Sequence, residues 1–225
     1  MPALSIVIPT LNATAGLAAT LQACREAGEA VDVIVADGGS TDGTGMLAWS
    51  SGVRVVTAPR GRGAQMMAGA GAAQAEWLFF LHADTVLQPG WWPAVQAFMA
   101  APESRRSAGY CRFRLDDASP QARRLERLVA WRCRALALPY GDQGLLLRRR
   151  LYRDVGGFRP LPLMEDVDLV RRLGRRRLVA LPIDATTSAA RWRRDGWWRR
   201  SARNLFCLSL YFLGVPPRLI ARLYA

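Results

Sequence analysis

The chain opens on a β-branched run, Ser5-Ile-Val-Ile-Pro-Thr, halted by proline, and this pattern predicts a first strand. From Leu11 to Gly28, Leu17, Leu21 and Cys24 recur at helical spacing, and Gly28 supplies a C-terminal stop. Val31-Asp-Val-Ile-Val-Ala predicts a second strand, ending at Asp37-Gly-Gly-Ser-Thr-Asp, and Val53-Arg-Val-Val-Thr a third. Gly61 to Ala75 reads as a small-residue helix. Trp77-Leu-Phe-Phe-Leu is a continuous apolar run of the kind buried on both faces of a sheet. Strands and helices alternating over short connections through about residue 100 predict a parallel α/β sheet.

The second half is less regular. Cys111 to Leu115 alternates like a strand. Gln121 to Leu138 predicts a helix with Leu125, Leu128, Val129 and Leu136 on one side and arginines on the other. Leu145-Leu-Leu-Arg predicts a strand, Glu165 to Leu173 a short helix and Leu178 to Ile183 a further strand. From Trp192 onward the chain is rich in Arg and Trp, then apolar. The organisation expected is one α/β domain over residues 1–200 and an apolar, Arg-containing appendage over 201–225.

Composition adds a charge asymmetry to this picture. The 225 residues are 51% hydrophobic, enough for a sizeable core, and carry a net charge of +13. Residues 1–100 hold four Arg and seven acids, whereas residues 101–225 hold 27 Arg and eleven acids. With no lysine, every side-chain cation is a guanidinium, which favours planar, bidentate anions such as phosphate. The four cysteines (Cys24, Cys111, Cys133, Cys207) are scattered, and His82 is the single histidine, which excludes zinc fingers and multi-histidine metal centres. The start lacks a basic region before an apolar stretch, so no signal peptide is expected. The longest apolar run, Leu205 to Val215, is shorter than the roughly 20 residues of a membrane helix. A cytoplasmic protein is expected, at most peripheral at the inner face of the membrane.

Three acids fall at strand ends, where open parallel sheets bind ligands: Asp37, Asp84 and Asp142. Turn chemistry accounts equally well for Asp37, and Asp42 reads as a helix cap. His82-Ala-Asp84 emerges from an apolar strand. One carboxylate there, with substrate phosphates and water, is an octahedral Mg²⁺ or Mn²⁺ arrangement. Gly61-Arg62-Gly-Ala-Gln65 offers small residues and a guanidinium to a phosphate, a weak signal by itself. Met164-Glu165-Asp166-Val-Asp168 packs three acids into four positions. Crowding raises the pKa of at least one and makes it a better general base, yet acids also favour a helix start; spacing alone does not choose.

Taken in order, Ser5-Ile-Val-Ile-Pro-Thr-Leu-Asn, Ala36-Asp-Gly-Gly-Ser-Thr-Asp-Gly-Thr, Leu81-His-Ala-Asp-Thr, Gly156-Gly-Phe and Glu165-Asp-Val-Asp-Leu resemble the motifs of family 2 glycosyltransferases of GT-A fold. Pro139-Tyr-Gly-Asp-Gln-Gly and Pro162-Leu-Met-Glu-Asp narrow the likeness to a subgroup named for arsenosugar biosynthesis, also described as associated with radical-SAM and selenium-linked proteins. The resemblance implies a Rossmann-like, mostly parallel sheet, a nucleoside-diphosphate-sugar donor, Mn²⁺ or Mg²⁺, and inversion at the anomeric carbon. It implies that Pro9, Thr10 and Asn12 line a nucleotide pocket, with Asp37 at the base, and that Arg62, Gln65 and His82 lie on the donor side. Asp84 matches the metal-holding acid of an Asp-x-Asp motif and Asp166 the general base, beside Glu165. Tyr140, Asp142 and Gln143 fall where acceptor or donor-sugar contacts are expected. Arg191-Trp192 is loosely similar to an Arg-Trp motif of processive relatives. His82 replaces the first acid of Asp-x-Asp, Ala13 stands where Glu is frequent, and no later histidine exists; metal binding is therefore expected to depend largely on the donor diphosphate.

Two other readings stand beside this one. A non-enzymatic nucleic-acid binder would stack bases on Trp192, Trp197 and Trp198 and grip phosphates with the interleaved arginines; a solvated, membrane-facing or partner-facing helix rim is the preferred reading of that segment. A nucleotidyltransferase on a similar sheet would need a Gly-rich, Lys-containing signature, which a lysine-free chain lacks. The appendage 201–225 is open to three roles: packing on the domain, a homodimer interface, or contact with an anionic membrane surface.

Overall fold

In the computed structural model, which describes residues 2–224, the first β-branched run forms β1 (Leu4–Thr10), buried along its whole length. β2 (Val31–Asp37) pairs parallel with one edge of β1, and β3 (Arg54–Thr57) lies beyond it. β4 (Trp77–Phe80) pairs parallel with the opposite edge. The helices between them, α1 (Thr14–Cys24), α2 (Thr44–Ser50) and α3 (Arg62–Ala72), make the crossovers that parallel pairing requires. β1 sorts its side chains by alternation. Leu4, Ile6 and Ile8 pack with Leu17 and Leu21 of α1, whereas Val7 packs with Met66 and Ala70 of α3.

The strands continue through β5 (Thr85–Leu87), β6 (Ala108–Leu115), β7 (Leu145–Arg148) and β8 (Leu178–Thr187). The sheet order is β3-β2-β1-β4-β7-β6-β8-β5. β7 runs antiparallel between β4 and β6, and β5 runs antiparallel to β8 at the far edge, so the sheet is mixed and mostly parallel. This is the mostly parallel sheet expected: β1 to β4 pair parallel throughout, and the antiparallel strands, β5 and β7, follow them in the chain. The remaining helices are α4 (Trp91–Ala100), α5 (Pro120–Leu136), α6 (Arg149–Asp154), α7 (Glu165–Leu173), α8 (Ala190–Asp195), α9 (Trp197–Phe212) and α10 (Pro217–Tyr224).

Several expected boundaries shift for local reasons. The predicted helix 11–28 ends at Cys24 and passes into a 3-10 segment, Arg25–Ala30, in which Gly28 adopts φ 54°. The strand predicted over 178–183 runs on to Thr187, because β5 and the end of β6 both pair with its last residues. On α5 the buried stripe is Ala122, Glu126, Val129 and Cys133, flanked by Leu125; Leu128 and Leu136, expected on that side, are 59% and 50% exposed. Glu126 tolerates burial because Arg114, Arg123 and the Leu115 amide all donate to it. All four cysteines are buried free thiols. No helix among the described residues is long and apolar enough to cross a membrane. The 200/201 boundary falls inside α9.

Candidate functional site

β1 has its first crossover partner, β2, on one side and β4 on the other, so the strand order reverses between β1 and β4. Ligands bind such sheets at the carboxyl rim beside that reversal. Leu81-His82-Ala83-Asp84 leaves β4 there. β7 is antiparallel to β4 with Leu145 opposite Phe80, so its leading turn, Gly141–Gln143, lands on the same rim. The start of α7 meets that turn: the Gly141 N–H donates to Asp166 Oδ2 at 2.8 Å. Gly141 permits this approach, since a Cβ there would come within 2.4 Å of His82 Nε2.

On the β1–β2 side the rim is tied internally. Asp37 accepts from the Thr10 hydroxyl (2.9 Å), the Ser40 hydroxyl (2.5 Å) and the Gly39 and Ser40 amides. Partial burial alone would raise its pKa, but these donors outweigh it and hold the carboxyl below its ordinary value. Asn12, at φ 50°, accepts from the Thr41 amide through its side chain and donates its own amide to Ser40. Asp42 accepts from the first N–H groups of both α1 and α2, at Thr14 and Thr44, the capping work expected of it. Pro9 and Thr10 are buried, and Gln65 lies beneath the loop, donating to the carbonyls of Thr10 and Ala36.

Between β4, the 141–143 turn and α7 lies a cavity of about 150 Å³ whose wall includes Arg62, His82, Asp84, Asp142, Asp166 and Arg191. Asp84 Oδ2 is paired with Arg191 Nη2 at 2.9 Å. Across the cavity, Asp166 is oriented by two amides, Gly141 on Oδ2 and its own helix's Val167 on Oδ1 at 2.7 Å. Arg62 reaches from the start of α3 to Glu165 Oε1 at 3.0 Å. Gly63 allows this, because a Cβ there would sit 2.2 Å from the Arg159 carbonyl. Glu165 is 2% exposed, and its Oε2 has no hydrogen-bond partner; burial raises its pKa against the pull of Arg62. Burial, helped by Arg62, lowers His82 to about 4, which makes it a neutral imidazole. Asp142 is pushed up to about 6 by burial, with Arg132 opposing and Asp166 and Asp84 adding to it; its Oδ1 is buried without a partner.

The structure brings together the expected Asp84, Asp166, Arg62, His82, Tyr140 and Asp142. It sets Gln143 behind them: its amide donates to the Cys111 carbonyl, and its oxygen accepts from Arg132 and the Tyr140 amide. Glu165 likewise faces Arg62 from behind the wall. Sequence reading missed the cavity's far side. Arg200, Asn204 and Tyr224 of α9 and α10 line it, and the Asn204 side-chain oxygen is buried without a partner. Arg191 arrives because β5 pairs Thr85 with Thr187, which carries the end of β8 to Asp84. Trp192 and Trp197 stack on each other at 6.0 Å, and Arg200 lies over the Trp192 ring.

The model of glycosyl transferase family 2 matches residues 5–159. The chain belongs to that family. It is thus an enzyme, a nucleotide-sugar-dependent glycosyltransferase. Among solved structures, this family 2 glycosyltransferase is similar to glucosyl-3-phosphoglycerate synthase from Mycobacterium tuberculosis in complex with Mn²⁺, UDP and glucosyl-3-phosphoglycerate. The TM-score is 0.60 and the identity 21%, over 83% of this chain and 70% of that one. The same protein with Mg²⁺ and UDP scores 0.60, also at 21% identity, over 83% and 70% of the two chains. S. aureus TarS 1–349 with UDP-GlcNAc gives TM-score 0.63 at 17% identity, over 83% of this chain and 59% of that one. At these identities the likeness is one of fold. No curated protein sequence matches the chain.

Among the described residues no three His, Cys, Asp or Glu side chains converge on one point. Asp84 keeps Oδ1 free of hydrogen bonds among those residues, since Arg191 engages Oδ2. One carboxylate oxygen fits Mg²⁺ or Mn²⁺ when phosphate oxygens and water complete the octahedron, and falls short without them.

Proposed function

We propose that this family 2 enzyme transfers a sugar, with inversion, from a nucleoside-diphosphate-sugar donor to an acceptor hydroxyl, in the cavity that Asp84 and Asp166 share. That shared cavity is the observation that carries the reading. Pro9, Thr10, Asn12 and Asp37 form the nucleotide end, one and two strands away along the same rim. Asp84 would hold Mn²⁺ or Mg²⁺ together with the donor diphosphate, and the ion would stabilise the leaving group. Arg62 and Arg191 present guanidinium groups to the same phosphates.

Asp166 takes the acceptor proton. Its two amide bonds hold the carboxylate in the cavity wall and leave a second lone pair on each oxygen for the acceptor. The acceptor oxygen bonds to the anomeric carbon as the bond to the diphosphate breaks, and the hydroxyl proton passes to Asp166. One base suffices because inversion is a single displacement; retention through a covalent intermediate would need a positioned carboxylate nucleophile. Asp142 and Tyr140, on the Asp166 side, contact the acceptor or the donor sugar. The narrower likeness, to the arsenosugar-biosynthesis subgroup, rests on Pro139–Gly144 and Pro162–Asp166.

The test is a thermal-shift screen of nucleoside diphosphates and their sugars, with and without Mn²⁺ or Mg²⁺, on the wild type and on Asp166→Asn. A bound donor at a hundredfold excess over its Kd stabilises by about 2.7 kcal/mol, or about 5–10 °C for a chain of this size. Both proteins should show that shift, larger with the ion, while Asp166→Asn loses about 10²–10⁴-fold or more in transfer. Retained turnover would remove Asp166 from the base role; no donor shift in the wild type would remove the reading.

A further inference from the structure

Helix α9 has two faces of different kind. Arg200, Cys207 and Leu208 are buried, and Asn204 joins Arg200 in the cavity wall. On the other side Trp198, Ala202, Leu205, Ser209 and Phe212 follow at intervals of four and three, all exposed, with Phe206 and Leu213 beside them. Trp198 is 76% exposed, Leu205 64% and Leu213 80%. Packed against α9, α10 presents Leu219 and Leu223 on its own exposed stripe. Together these side chains expose an apolar surface on the order of several hundred Å², the size at which a patch marks an interaction site.

Charge identifies the occupant. Residues 196–225 include five arginines and no Asp or Glu. Arg200 is engaged with Asp195, and Arg203 lies beside Asp195 and over the Tyr224 ring. Arg199, Arg218 and Arg222 are exposed, with no ion-pair partner among the described residues. A second copy of the chain would bring the same acid-free cationic surface against itself, because a two-fold interface uses one patch twice. Nucleic acid would satisfy the arginines but not the leucines. An interface that takes apolar side chains below a layer of negative charge satisfies both.

We propose that the outer face of α9, with α10, docks this enzyme on an anionic lipid bilayer, the helices lying in the plane of the interface. The inner face of α9 walls the cavity through Arg200 and Asn204. Docking therefore holds the cavity within about one helix diameter, ~10 Å, of the lipid surface.

The experiment is co-sedimentation of the full chain with phosphatidylcholine vesicles, with and without phosphatidylglycerol, at rising salt. The wild type is expected to sediment with the anionic vesicles alone and to be released by salt. Arg199→Ala, Arg218→Ala and Arg222→Ala should each weaken binding about fivefold. Leu205→Ser with Phe206→Ser should abolish it although every arginine remains. A blue shift in tryptophan emission on adding anionic vesicles, absent in Trp198→Phe, reads the same docking in a protein with its apolar stripe otherwise intact. Failure of the wild type to bind anionic vesicles overturns the proposal. So does a concentration-dependent dimer, seen by light scattering, that the Leu205/Phe206 variant dissolves while the wild type ignores vesicles. None of these readouts involves donor or transfer, so the outcome is independent of the proposed chemistry.

Discussion

At the ends of β1 and β2 both carboxylate oxygens of Asp37 and of Asp42 receive donors from the chain itself. Across the cavity, Asp142 Oδ1, Glu165 Oε2 and Asn204 Oδ1 are buried with none. The first side is complete without a ligand: short loops between parallel strands supply hydroxyls and amides at fixed offsets, and the polar groups satisfy each other. The second side is assembled from a 3-10 turn, a helix start and the C-terminal helices, which converge from distant parts of the chain. A buried polar atom without a partner costs about 1–3 kcal/mol, and a ligand hydroxyl or phosphate that reaches it relieves that cost. One lip is therefore organised for stability and the other holds its interactions in reserve.

Cutting the link between the two lips has the largest expected effect on stability. Arg62 stands on α3 and pairs with Glu165 on α7, which is almost wholly buried. Arg62→Ala strands that carboxyl. Breaking a fully buried pair costs about 3–5 kcal/mol; because the Arg62 side chain is 43% exposed, about 2 kcal/mol is expected here. The pKa of Glu165, already raised by burial, rises further once the guanidinium is gone. Stability tied to a raised carboxyl is present at low pH and lost as pH climbs through the folded pKa. The gap between variant and wild type in urea denaturation should accordingly be wider at pH 8 than at pH 4.5. A gap that narrows with rising pH would show that Glu165 is not left carrying an unpaired charge.

Asp142→Asn acts on the unsatisfied lip with the opposite sign. The Asp142 carboxyl titrates near 6 in the folded chain, above its ordinary value of 3.8. Its contribution to stability is fully present below that ordinary value and disappears as pH rises through 6. At pH 7.5 the variant should be more stable than the wild type by on the order of 2 kcal/mol, while at pH 4 the two should melt together. His82, depressed to about 4, titrates in the same window with the opposite slope, but it does so in both proteins and cancels from the difference. Equal stability at both pH values would mean that burying the Asp142 carboxylate, beside Asp166 and Asp84, costs nothing.

The same contrast governs what could be read from the amino-acid order. The satisfied lip was legible because its residues lie within a few positions of one another: Asp37 to Thr44 forms one turn, and β1, β2 and β4 announce themselves as apolar runs. Asp84 was legible as a polar group leaving an apolar strand, whereas spacing left Glu165, Asp166 and Asp168 equivalent and only the family resemblance singled out Asp166. Arg191 was seen in an Arg-Trp pair and among the arginines interleaved with tryptophan, but not beside Asp84, since what brings it there is the pairing of a three-residue edge strand, too short to show periodicity. Asn204 and Tyr224 gave no signal at all; their place depends on how α9 and α10 fold back on α7. Leu128 and Leu136 went astray for a related reason: α5 buries one narrow stripe, and the helical period alone does not say how wide that stripe is. Gln65 and Gln143 were expected among the ligand contacts, and the side-chain amide of each donates to a backbone carbonyl, a pairing that sequence does not show.

Gln65→Leu tests the satisfied lip by removing one of its internal donors, and the smallest effect is expected there. The Gln65 amide is buried and donates to the carbonyls of Thr10 and Ala36, at the adjoining ends of β1 and β2. Leucine has nearly the same volume, so no cavity opens and the apolar gain partly offsets the loss. The Thr10 carbonyl also keeps a second donor, the Gly38 amide at 2.9 Å, and is not orphaned. The cost should thus fall at the low end for a lost buried hydrogen bond, about 1 kcal/mol, read as a shift of the urea midpoint at unchanged slope. Because Asp37 and Ser40 are held by other bonds, the thermal shift with a nucleoside diphosphate should persist in this variant. Loss of that shift with stability intact would move Gln65 from the support of the rim into direct contact with the donor.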